Sequence, residues 1–168
     1  RVENNQGTLQ SQTALDVKTT GDIDNLNGKI IAQDGELMVT ADNVDNRGGT
    51  LSSLQNAFTA RITGVLKNGY DLDGKGGTIQ AKSLDLRALA GINNHGGRIA
   101  AQDGDALIDT KTADFDNRNG GLFAKQRVTV TGNNFDNSGD NDGQITGQQI
   151  DLTLDGELNN RKGIIESD

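Results

Sequence analysis

Two short acidic segments hold the residues best suited to bind an ion. They are Asp71-x-Asp73-Gly74 and Asp136-x-x-x-Asp140-x-Asp142-Gly143. A calcium loop needs alternating oxygen ligands, glycine at its sixth position and a bidentate glutamate at its twelfth. Counted from Asp71, Gly76 falls sixth, but Lys75 fills a ligand place and Lys82 stands twelfth. Counted from Asp136, the sixth residue is Asn141 and the twelfth Gly147. Neither is a metal loop, and turn aspartate is the better reading of both. Paired carboxylates would be the next candidates, as in polysaccharide-cleaving enzymes. Asp16, Asp85 and Asp151 share an outward strand column, but Met38, Leu107 and Thr129 lie between them. His95 is the sole histidine and has no serine, cysteine or ligand partner at a catalytic spacing, and cysteine is absent. No cofactor, metal or catalytic residue is expected.

What positions these residues is a repeat. An apolar residue is followed by Asn two positions on, Gly five on and Leu or Ile seven on. The starts are Val2, Ile23, Val44, Leu72, Ile92, Phe115, Phe135 and Leu158, giving steps of 21, 21, 28, 20, 23, 20 and 23 residues. Asn4, Asn25, Asn46, Asn94, Asn117, Asn137 and Asn160 form one column, in which Gly74 is the exception. Gly7, Gly28, Gly49, Gly77, Gly97, Gly120 and Gly163 form the next. A period near 20 with such column chemistry means stacked units that bury their apolar faces on one another.

Between these segments, apolar and polar residues alternate, as in Leu37-Met38-Val39, Leu84-Asp85-Leu86 and Val128-Thr129-Val130. That is the period of a strand with one face inward. Asn-Arg-Gly-Gly and Asn-His-Gly-Gly are turn chemistry, because Gly and Asn tolerate positive φ. The reading is an all-β fold: a parallel β-helix of about eight coils with repeats of roughly 20–23 residues. At about 4.8 Å per coil it makes a rod on the order of 35–40 Å long. Within it, stacked Asn amides either form a hydrogen-bonded ladder or satisfy local turn carbonyls.

Composition agrees. Hydrophobic residues are 32% and aromatics 3%, which suits a thin aliphatic interior, and proline is absent where every interior coil is paired on both sides. The net charge of −8 argues against nucleic-acid or anionic-membrane binding. The chain starts and stops in mid-repeat, and reads as one β-helical segment, residues 1–168, of something longer.

The wording of the repeats is specific. Val44-Asp45-Asn46-Arg47-Gly48-Gly49-Thr50-Leu51, Ile92-Asn93-Asn94-His95-Gly96-Gly97-Arg98-Ile99 and Phe115-Asp116-Asn117-Arg118-Asn119-Gly120-Gly121-Leu122 resemble the filamentous-haemagglutinin repeat. The resemblance covers essentially the whole chain. It implies a right-handed β-helix in the shaft of an exoprotein exported by two-partner secretion in Gram-negative bacteria. It also implies an outer-membrane transporter as export partner, flanking repeats as neighbours and display at the cell surface. Filamentous adhesins and contact-dependent growth-inhibition toxins have such shafts. The expected function is a rigid spacer presenting an adhesive or toxic tip. The alternative is recognition of a target-cell receptor or glycan through longer loops near 64–71 and 137–143, with Tyr70, Asp71, Asp140 and Asp142 as the candidate contacts.

Overall fold

The computed structural model describes residues 1–139 and 143–168, and these contain strands and turns but no helix. Three parallel sheets run the length of the rod. Sheet A stacks eight two-residue strands, beginning with Val2–Glu3, Ile23–Asp24 and Val44–Asp45. Sheet B stacks eight four-residue strands, beginning with Thr8–Ser11, and sheet C seven strands, from Leu15–Lys18 to Gln149–Leu154. One strand of each makes a coil, so the chain winds through seven complete turns and two strands of an eighth.

Register follows the sequence columns with one change. Sheet A pairs Val44 with Leu66 and Leu66 with Ile92, so Leu66, not Leu72, occupies the apolar column of coil 4. The steps on either side of Leu66 are therefore 22 and 26 residues. Asn68 fills the place given to Gly74 by the sequence pattern. The six surplus residues lie between Asn68 and Gly77 rather than at 64–71. Leu72 is 94% exposed, while Leu66 is 1% exposed. An aliphatic side chain belongs in the sheet that buries it, and this burial sets the register.

The interior is three stacked aliphatic columns, among them Ile23, Val44, Leu66, Ile92, Phe115 and Phe135 in sheet A, and Ile30, Leu51, Ile79, Ile99, Leu122 and Ile145 in sheet B. Where the apolar column widens, Phe115 stacks on Phe135 with centroids 4.6 Å apart. In sheet C, Phe58-Thr59-Ala60 supplies coil 3, a strand hidden in the sequence by its aromatic and Ala. An outward column of sheet C therefore runs Lys18, Thr40, Arg61, Arg87, Asp109, Thr131, Thr153. Three threonines among seven residues, interrupted by charge, make no flat threonine array.

The asparagine turn stack and the coil 4 insertion

In six of the eight coils the passage from sheet A to sheet B turns at Asn-x-x-Gly, closed by a hydrogen bond from the Gly N–H to the Asn carbonyl, as for Gly7 to Asn4 at 2.9 Å, and in coil 4 the Gly77 N–H closes the longer turn onto Asn68 O at 3.0 Å. The turn places the Asn side chain inward, where Asn25, Asn46, Asn68, Asn94, Asn117 and Asn137 are fully buried. Asn4 Nδ2 donates to Asn25 Oδ1 at 2.8 Å, and the link repeats from Asn25 to Asn46, Asn46 to Asn68, Asn68 to Asn94, Asn94 to Asn117, Asn117 to Asn137 and Asn137 to Asn160. Ladder and local satisfaction coexist. Each amide from Asn4 to Asn94 also donates to its own turn's glycine carbonyl and to a strand carbonyl of the next coil, as Asn94 does to Gly97 and Gly121. A buried primary amide without these partners would cost about 1–3 kcal/mol.

The glycine column is required for close approach rather than for φ. A Cβ on Gly28, Gly49, Gly97 or Gly120 would collide with the carbonyl of the Asn one coil earlier and with Oδ1 of its own turn's Asn. Gly7, Gly77 and Gly163 face Oδ1 of their own turn's Asn in the same way. Positive φ falls one residue before, at Gln6, Asn27, Gly48, Gly96, Asn119 and Lys162.

Carboxylates around this stack are held in place by neighbouring cations and amides. Asp45 and Asp116 each bind the arginine two residues on, Arg47 and Arg118, at 2.8 Å. Burial raises both carboxyl pKa values, but the guanidinium and backbone N–H hydrogen bonds outweigh it and hold them below the usual carboxylate range. A lowered folded pKa contributes stability that is present above the ordinary value, near 3.9, and is lost as pH falls through the folded value. Acidification below about pH 4 therefore lowers the thermal midpoint. In the Asp45→Asn/Asp116→Asn double variant that loss is smaller, as acid-scan circular dichroism would report.

Two of the three outward aspartates are brought into ion pairs. Asp85 binds Arg61 at 2.9 Å, and Asp151 lies 3.6 Å from Arg127. Among the described residues no cluster of three or more acidic, His or Cys groups could hold a metal. Asp140 and Asp142 lie outside the described residues.

The insertion after Asn68 is a folded loop that grips four coils. Asp71 Oδ2 accepts from Asn27 Nδ2 at 2.8 Å, reaching over Gly48 to coil 2. Its Oδ1 accepts from the backbone N–H groups of Asp73 and Lys75. These donors, led by Asn27, keep the Asp71 carboxyl below the ordinary range. Towards coil 5, the Tyr70 N–H donates to His95 O at 3.0 Å, and the Tyr70 ring meets His95 edge-on at 5.3 Å. A Cβ on Gly96 would strike that ring, and one on Gly48 would lie 2.7 Å from Asp71 Oδ2. In this left-handed turn column, coils 1, 2, 6 and 8 carry Gln6, Asn27, Asn119 and Lys162, and the two coils flanking the insertion carry glycine. Those glycines are the loop's seat. Asn68 and this seat escaped the sequence reading, although Leu66-x-Asn68 preserves the column once the surplus is placed after the Asn.

An unbroken parallel β-solenoid with an internal asparagine ladder defines an elongated repeat scaffold. Residues 1–27, 16–61, 35–111 and 103–162 match the haemagglutinin repeat, and the chain belongs to that family. The family is typical of secreted surface exoproteins. No curated protein and no solved structure matches the chain.

Proposed function

We propose that this chain is a rigid shaft segment of a secreted filamentous exoprotein at the surface of a Gram-negative bacterium. It would reach the surface through an outer-membrane two-partner-secretion transporter and hold an adhesive or toxic tip away from the cell. The observation that carries this reading is the continuity of the ladder from Asn4 to Asn160 through seven links of 2.7–2.8 Å. Such a column, with three sheets in parallel register, resists bending because any kink must break several links at once. Its work is mechanical rather than catalytic.

The test is excision of one whole coil, residues 23–43, from a surface-displayed exoprotein carrying these repeats. The expected result is a filament shorter by about 4.8 Å, still secreted and still attaching to target cells. Saturable binding of the isolated, labelled chain to those cells, lost when residues 70–75 are removed, would replace the shaft reading with the recognition one.

A further inference from the structure

Two features of one edge of the rod match each other. The first is the tip of the insertion. Leu72 is 94% exposed on a loop fixed by Asp71, Tyr70 and their glycine seats, with Asp73 beside it. Holding an aliphatic side chain in water on an ordered loop gains nothing for this fold, whereas a pre-ordered anchor loses little entropy on docking. The second is a pocket of about 270 Å³ on the outer face of sheet B, lined by Arg98, Gly121, Leu122, Phe123, Gln144 and Thr146. It exists because Gly121 leaves the outward position of coil 6 empty between Arg98 and Gln144, and nothing lies within 4 Å of where its Cβ would stand.

The charges also match. Arg1, Arg47, Arg61, Arg87, Arg118 and Arg127 are ion-paired to carboxylates. Among the described residues, the Arg98 side chain on the pocket rim has neither an ion pair nor a hydrogen bond. Thr146 Oγ1, in the pocket wall, is buried without a hydrogen-bond partner. The socket thus offers an apolar floor and a free cation. The knob offers a leucine flanked by a free carboxylate and by exposed loop backbone.

We propose that the occupant is a second copy of this chain. Knob and socket lie two coils apart, in coils 4 and 6, at the end of sheet B that adjoins the turn. A two-fold axis through coil 5 therefore brings each Leu72 to the other copy's pocket in one antiparallel, isologous contact. The two Arg98 side chains then approach the axis, and each is neutralised by the partner copy's acidic knob. The result is lateral pairing of antiparallel shafts in spite of a net charge of −8 per chain.

Sedimentation velocity over a range of concentrations tests this on the 168-residue chain and on two surface variants, Leu72→Asp and Gly121→Gln, each checked for an unchanged circular-dichroism melt. The wild type is expected to dimerise, and each variant to weaken the dimer by roughly tenfold or more, as for a buried interface anchor. Raised salt is expected to weaken the wild-type dimer. A wild type that stays monomeric overturns the proposal. So does a dimer that survives both substitutions, which would place the contact at the rod ends. Loss in only one variant likewise overturns the pairing of this knob with this socket.

Discussion

Replacing Asn94 by alanine lowers the unfolding free energy by about 3–5 kcal/mol, counting roughly 1–3 kcal/mol for each buried polar group left without a partner. Asn94 is fully buried at the middle of the ladder. Its Nδ2 donates to Asn117 Oδ1, Gly97 O and Gly121 O, and its Oδ1 accepts from Asn68 Nδ2 at 2.8 Å. Alanine removes all four at once and leaves a small cavity that is too enclosed to hydrate freely. The Asn68 amide loses its ladder acceptor while keeping Gly77 O and Arg98 O, and Asn117 Oδ1 loses its donor. At the rod's exposed end, Asn160 takes part in one ladder link, from Asn137, and Asn160→Ala costs only about 1 kcal/mol. Denaturant melts of both variants measure the contrast. Asn94→Asp adds a diagnostic, since a buried carboxylate facing Asn117 Oδ1 has its pKa raised by burial. The folded state then binds the extra proton, so this variant regains stability as pH falls from neutrality towards the ordinary carboxylate value. The wild type shows no such gain.

Gly97→Ala is expected to cost a similar 3–5 kcal/mol, by a different route. Its backbone lies in an ordinary region of φ, so strain in the residue itself is not the cause. The added methyl has nowhere to go: it meets the Asn68 carbonyl of the previous coil and stands 2.5 Å from Asn94 Oδ1. Both are ladder or sheet acceptors in rigid backbone-anchored positions, so the coils must separate locally and the Asn68–Asn94 link must lengthen. Gly121→Ala is the matched control. It is also a glycine of a sheet B coil, yet nothing lies within 4 Å of its would-be Cβ and its φ is not positive. Its melt should stay within about 0.5 kcal/mol of wild type.

The fold was legible in the sequence because three independent columns repeat together. A buried Asn, a close-approach Gly and an inward aliphatic each tolerate few substitutes, so Asn25, Gly28 and Ile30 announce one coil and Asn46, Gly49 and Leu51 the next. The exceptions arose where burial, not spacing, decides. Leu72 and Gly74 imitate the pattern in sequence, but Leu66 wins the column because the sheet can bury it between Val44 and Ile92. Phe58-Thr59-Ala60 was hidden because an aromatic and a small residue fill two inward columns in which the neighbouring coils use Leu37 and Leu84, and Val39 and Leu86. The chemistry of the insertion was not legible at all. Asp71 looks like half of a calcium motif, and its long-range partner, Asn27 Nδ2, becomes a neighbour only through stacking two coils away. The free rim of Arg98 is equally a product of stacking: it opens a sheet B strand beside Gly121, unlike the turn arginines Arg47 and Arg118, which find Asp45 and Asp116 two residues away in the chain.

Side-chain amide hydrogen exchange of the asparagines, followed by ¹⁵N NMR, tests most directly whether the ladder is what makes this chain a stiff rod. The Nδ2 protons of Asn46, Asn68, Asn94 and Asn117 should exchange as slowly as the strand amides of Ile79 and Ile99, with Asn160 fast. Exchange of the interior amides at the rate of a free asparagine, while the strands remain protected, would mean that the coils are held by the sheets alone.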